Sequence, residues 1–162
     1  MLIMEILSRN AALYGNDIGL IEINPELQEK HAVSWKEFEL IETMPSASSR
    51  QEITWREFDD KANRFANLLI DRGIKKGDKV AILLMNCIEW LPIYFGILRT
   101  GAVAVPLNFR YAADEIKYCL GLSEAVALVF GPEFVERVAA VKDCLANVDR
   151  FLFVGENCPP FA

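Results

Sequence analysis

The chain has 162 residues, 52% of them hydrophobic and 25% charged, with a formal net charge of -6. That length predicts one domain with a core of its own, and the hydrophobic share with a positive mean hydropathy excludes a disordered chain. The acidic balance lacks the basic footprint that nucleic acid or anionic lipid would need, so neither is an expected partner.

The N-terminus, MLIMEILSRN, has no basic start and no long apolar run, so no signal peptide is expected. Residues 5–14 predict a short amphipathic helix with Ile6, Leu7, Ala11 and Leu13 turned inward and Gly15 as its stop. Residues 18–23 alternate like a strand, and Asn24-Pro25 breaks it. Residues 25–52 are irregular, with Pro45-Ser46-Ala47-Ser48-Ser49 as an exposed loop. Residues 1–52 thus form an N-terminal part of helix, strand and loop. Within it, VSWKEFEL from Val33 nearly duplicates ITWREFDD from Ile53. Both copies carry a capping box, Ser34 with Glu37 and Thr54 with Glu57. Both also carry a staple pair, Val33 with Phe38 and Ile53 with Phe58. Helical periodicity continues only after the second copy, through Trp55, Phe58, Ala62, Phe65 and Leu69 to a stop at Gly73. The first copy is expected to be a single helical turn or a strand edge.

From Lys79 onward strands and helices alternate. Apolar strands are expected at 80–84, 103–107, 125–130 and 151–154, and helices at 88–100, 113–122 and 132–146. This predicts an α/β fold, a parallel sheet with flanking helices and right-handed crossovers over residues 53–162. Asn86 with Glu89 gives a third capping signature, and Pro92 predicts a kink or a later helix start. Gly101 is expected to end that helix, followed by a short core strand that Pro106 closes where the ladder ends. Residues 80–107 are apolar overall, but Asn86, Glu89, Pro92 and Arg99 interrupt them, so no transmembrane segment is expected. The layer stops soon after its last strand. One sheet edge or face is therefore expected to be uncovered, with homo-oligomerisation through the exposed sheet.

Residues with reactive side chains do not gather into a site. There is no G-x-S-x-G, G-x-G-x-x-G, Walker loop or H-E-x-x-H, so no catalytic residue and no metal ligand is expected. His31 reads as a surface residue. Lys75, Lys76 and Lys79 around Gly77 fit a solvated helix-to-strand turn better than a phosphate cradle. Of Glu57, Asp59 and Asp60, two serve the positive end of their helix. Trp55, Phe58 and Phe65 fit the core better than a stacking platform. Cys87, Cys119, Cys144 and Cys158 are dispersed, which predicts reduced, buried thiols in a cytoplasmic protein. Asn108-Phe109-Arg110 follows a strand end, where α/β folds place ligands, although a turn with a surface-paired arginine accounts for it.

The stretch ILRTGAVAVPLNFR resembles the Gly-Ala, Val-Pro, Leu-Asn segment of AMP-forming acyl-CoA synthetases, the adenylate-forming family that also holds luciferases and peptide-synthetase adenylation domains. Upstream, ITWREFDDKANRFANLLIDRGIKKGDKVAILLMNCIEW is similar to that family's opening helix and first core strand. Downstream, EIKYCLGLSEAVALVF is similar to its next helix and strand, so three patterns fall in order between Ile53 and Phe130. The resemblance implies that residues 53–162 are an incomplete layer of the N-terminal, AMP-binding domain. It implies a parent enzyme in which a fatty or aryl carboxylic acid attacks the α-phosphate of Mg-ATP. The resulting acyl-AMP is then displaced by the thiol of coenzyme A. ATP, Mg2+ and coenzyme A are the cofactors implied for that parent. In some members a basic residue near the helix after Gly131 meets the nucleotide phosphates of coenzyme A, which points to Arg137 and Lys142. The family's Ser/Thr/Gly-rich loop ending in lysine, its aromatic-Gly-x-Thr-Glu segment, its ribose aspartate and its lid lysine all follow the matched region and are not in this sequence. The chain is therefore expected to be an inactive fragment that holds no cofactor alone. A stand-alone, non-catalytic α/β interaction or regulatory domain is the alternative.

Overall fold

A computed structural model describes residues 2–23, 32–35, 38–41 and 50–162, in two compact units, Met1–Asp59 and Asp60–Ala162. The first unit holds α1 (Ile3–Tyr14), β1 (Ile18–Ile23), β2 (Ala32–Trp35), β3 (Phe38–Ile41) and β4 (Arg50–Thr54). Helix α1 starts two residues earlier than expected because the Glu5 carboxylate accepts the Leu2 backbone N–H at 2.8 Å. Its buried face is narrower than expected. Leu7 is buried, whereas Ile6 and Leu13 are 39% and 58% exposed. Those two, seven residues apart, share a row that lies about 100° round the helix from Leu7. Gly15 follows in right-handed geometry and does not act as a left-handed stop.

Strands β1 and β4 pair antiparallel with Ile21 opposite Glu52, and β2 pairs antiparallel with β3. Residues 50–52, expected to be irregular, therefore belong to a strand, because Arg50, Gln51 and Glu52 hide the alternation that pairing with β1 imposes. The first copy of the repeat is a strand. Val33, Ser34 and Trp35 sit in a β ladder, so neither a helical turn nor a Ser34 cap forms there; Glu37 lies outside the described residues, as do His31 and the loop 45–49.

The second copy starts a helix, α2 (Trp55–Asp71). Glu57 accepts the Thr54 backbone N–H at 2.8 Å, and the Thr54 hydroxyl accepts the Glu57 N–H at 3.2 Å. Phe58, Ala62, Ala66 and Leu69 form its buried row. Its end is a Schellman arrangement. Gly73 takes φ +80, its N–H reaches Ile70 O, and the Ile74 N–H reaches Leu69 O.

The second unit is built on β5 (Lys79–Leu83), β6 (Val103–Pro106), β7 (Ala127–Phe130) and β8 (Arg150–Phe153), all parallel, in the order β6-β5-β7-β8. Between them run α3 (Trp90–Arg99), α4 (Ala113–Ser123) and α5 (Val135–Val141). Alternate strand residues enter two separate cores. Val80, Ile82 and Leu84 pack with Leu69, Ile93 and Ile97, whereas Ala81 and Leu83 pack with Ile116, Leu120, Phe134 and Val138. Each fully buried Leu, Ile, Val or Phe contributes about 1.5–3 kcal/mol.

Several expectations change here. Both faces of the sheet are covered, so no face is left open. Strand β6 lies at an edge of the sheet among the described residues, with Ala104 and Val105 turned to the two cores and Val103 48% exposed. Helix α3 begins late, at Trp90. Glu89 is its N-cap without a side-chain cap, so the Asn86–Glu89 signature is not used, and Pro92 falls within the first turn where its missing N–H has no partner to lose. The helix expected at 132–146 is broken into a 3-10 turn (Pro132–Phe134), the short α5 and a second 3-10 turn (Lys142–Cys144). The β-branched Val135, Val138 and Val141 favour a long helix weakly. The cysteines are unbridged as expected but not buried: Cys87 and Cys119 are half-buried, and Cys144 and Cys158 are exposed.

Candidate functional site

Strand order locates where this layer can meet a ligand. From β5 the chain passes to β6 on one side, and β7 then lies on the other side of β5. The loops that follow β5 and β7 diverge at the carboxyl edge of the sheet, the crevice where α/β sheets bind ligands. Here the Gly131 N–H donates to Leu83 O at 3.2 Å. A Cβ on Gly131 would stand 2.9 Å from Glu133 Oε2 and 3.3 Å from Leu84 Cδ2, so the crevice is pinched shut at this point. Cys87 lies in the loop after β5. Burial, and then the nearby Glu89 carboxylate, push its thiol up to about 11, which leaves it protonated and unreactive at neutral pH.

The loop after β6 is built by local and distant bonds together. Asn108 Oδ1 accepts the Arg110 N–H at 2.9 Å, and the Tyr111 N–H closes a turn onto Asn108 O. Arg110 lies over the Phe109 ring at 5.4 Å rather than pairing with an acid. Arg137 reaches across from α5, donating through Nη1 to Phe109 O and Tyr111 O, both at 2.9 Å. Its guanidinium lies 5.0 Å over Phe134. Lys142 contacts Asp143 Oδ1 at 2.6 Å and lies 5.9 Å over Phe161. Both implied coenzyme-binding cations thus hold internal partners. Among the described residues no group of three His, Cys, Asp or Glu could hold a metal.

The other candidates separate cleanly. Lys75, Asp78 and Lys79 lie at the opposite, amino edge of the sheet. There the Lys75 N–H reaches Asp78 Oδ2 at 2.8 Å and Lys79 pairs with Glu124 at 3.1 Å, a plain turn. Asp59 accepts the Ser8 hydroxyl at 3.2 Å, and Glu57 caps α2. Sequence reasoning missed an open cleft of about 390 Å³ between α2, the start of α3 and the end of β8. Lys61, Arg64, Glu89, Phe65, Ile93 and Val154 are among the residues that line it. The Lys61, Arg64, Phe65 spacing on one helix was visible. The approach of Val154, which lies far along the chain, was not.

These features define an α/β layer of the doubly wound kind, with its carboxyl-edge loops held by Arg137 and by the Gly131 N–H. The chain belongs to the family of AMP-binding enzymes, whose sequence pattern matches residues 27–157. It is 41% identical over 99 residues to the medium/long-chain-fatty-acid–CoA/3-oxocholest-4-en-26-oate–CoA ligase of Mycobacterium marinum, a match taking in 61% of this chain and 18% of that protein. It is 37% identical over 103 residues to the crotonobetaine/carnitine–CoA ligase of Citrobacter koseri, covering 62% of this chain and 20% of that one. Among solved structures, a candidate long-chain-fatty-acid CoA ligase from Rhodopseudomonas palustris superimposes with a TM-score of 0.76 at 26% identity, over all of this chain and 35% of that one. The chain thus covers about a fifth of the curated relatives it matches. No helix among the described residues is long and apolar enough to cross a membrane.

Proposed function

We propose that this chain is the N-terminal part of an AMP-forming acyl-CoA ligase and supplies a supporting layer rather than the reactive groups. The observation that carries the reading is the family match over residues 27–157. In the whole protein, a carboxylic acid and Mg-ATP form an acyl-adenylate and pyrophosphate, and coenzyme A then takes the acyl group. That chemistry needs cationic donors and a metal around the developing phosphate charge. Here the chain's own residues keep the edge loops in place: Arg137 ties the β6 loop to α5, and Gly131 sets the distance between the β5 and β7 loops. Arg137 and Lys142 are proposed contacts for a coenzyme A phosphate only within the whole protein, and the chain alone binds no nucleotide. A cytoplasmic location is supported by four cysteines too dispersed to form a framework. Self-association through the sheet is confined to its edges, because its faces are covered.

The test is the reading frame beyond Ala162 and the activity of its product. The reading expects a Ser/Thr/Gly-rich loop ending in lysine, and AMP release that requires both a carboxylic acid and coenzyme A. A frame that ends without such a loop would leave the stand-alone interaction domain as the better account.

A further inference from the structure

Helices α3 and α4 each carry a glycine inside the helix, where only proline is less favourable. Gly96 in α3 has a reason to be there. A Cβ at that position would stand 2.9 Å from Ala62 O and from Phe65 Cδ1, so its absence lets α3 close on α2. Gly121 in α4 has no such reason among the described residues. Its φ is not left-handed, and a Cβ there would meet nothing within 4 Å. Beside it stand the two most exposed large apolar side chains of the described residues, Tyr118 at 67% and Leu122 at 71%. Residues three and four apart share a helix surface, so Tyr118, Gly121 and Leu122 make one patch, turned away from buried Ile116 and Leu120. The patch is two knobs beside a hole.

We infer that this face of α4 packs against the same face of a second copy of the chain. The two helices run antiparallel about a two-fold axis near Cys119 and Leu120. That axis brings each Tyr118 level with Gly121 of the other copy. Knob and receiving hole thus lie on one helix, as a self-complementary two-fold contact requires. A different partner would have to bring both, whereas a second copy already has them. Charge follows the same symmetry. Helix α4 opens with Asp114 and Glu115 and ends beside Lys79, which holds Glu124 at 3.1 Å. The antiparallel arrangement sets each acidic start beside the end of the other helix that carries Lys79, and it opposes the two helix dipoles. One helix face per copy falls short of the roughly 1,200 Å² of a stable interface, so the dimer is weak, with a Kd of about 0.1 mM. The contact leaves both edges of the sheet free and does not depend on the acyl-CoA ligase reading.

Sedimentation equilibrium of the 162-residue chain between about 10 µM and 1 mM tests this, with amide shifts followed over the same range. A monomer–dimer equilibrium is expected, with concentration-dependent shifts centred on Tyr118, Gly121 and Leu122. Leu122→Glu changes an exposed side chain and should keep the melting temperature while weakening the dimer about tenfold or more. Gly121→Ala should move the two readouts in opposite directions. The better helix former raises the melting temperature by about 2–4 °C, and the methyl group in the hole weakens the dimer about fivefold or more. A chain still monomeric at about 1 mM, a dimer as tight in either variant, or shifts centred on β6 or β8 would each overturn the proposal.

Discussion

At the scale of the residue, the chain shows how one local signal can be right once and wrong once. Thr54 and Glu57 form their reciprocal cap as the sequence suggests, and the near-identical Ser34 segment does not, because no helical row follows it to bury. Contacts such as Arg137 to Phe109 O were illegible, since nothing local marks a guanidinium for a carbonyl on another element. Two substitutions probe the residue scale. Gly96 lets α3 approach α2: a Cβ there would lie 2.9 Å from both Ala62 O and Phe65 Cδ1. Gly96→Ala should therefore destabilise the chain by about 1–3 kcal/mol in urea melts despite the better helix propensity of alanine. Cys87 supplies the pH test. Its raised thiol means that at pH 9 about a hundredth of it is thiolate, against about half for an ordinary cysteine of pKa 9.0. The thiolate fraction rises only as pH passes about 11, so alkylation at pH 9 should label exposed Cys144 and Cys158 well before Cys87. Comparable rates at all three would contradict the burial assigned to Cys87.

At the scale of the element, the parallel strands were legible because burial on both faces writes continuous apolar runs such as Val80 to Leu84. Position within the sheet was not. The stretch after Gly101 has the composition of a core strand, yet β6 is an edge. Its own chemistry protects that edge. The Val103 and Leu107 N–H groups donate to Asp78 O and Ile82 O of the β5 side, both at 2.8 Å, so Ala104 and Pro106 face outward. Pro106 has no N–H to give, and an incoming strand finds one outward donor instead of two. Pro106→Val should restore the second donor and shift light-scattering mass upward at high concentration, with the monomer better preserved in the original chain. No difference between the two would mean that this edge is already covered by something else. The helix expected across 132–146 failed for a different reason. Its apolar period is genuine, as buried Phe134, Val138 and Val141 show, but periodicity does not reveal where the chain must turn to deliver Phe151 and Leu152 to β8.

At the scale of the whole molecule, the fold class and the family were both readable, and for the same reason. Three collinear patterns between Ile53 and Phe130 are the strands, helices and glycine stop of the layer itself. The antiparallel pairs of the first unit were less readable, because β1 and β4 are joined by a long connection and only their pairing gives either its register. The Lys61–Arg64 cleft was unreadable at this scale as well, since it exists only once β8 has been placed beside α2 and α3. The division of labour proposed for this chain is a well-packed α/β layer that carries the family's scaffold, with the reactive groups on other polypeptide. ATP–pyrophosphate exchange on the 162-residue chain tests that division most directly. With medium- or long-chain fatty acids or aryl acids, exchange should stay at the level of the protein-free control; carboxylate-dependent exchange above that level would show that a complete adenylating site lies within these residues.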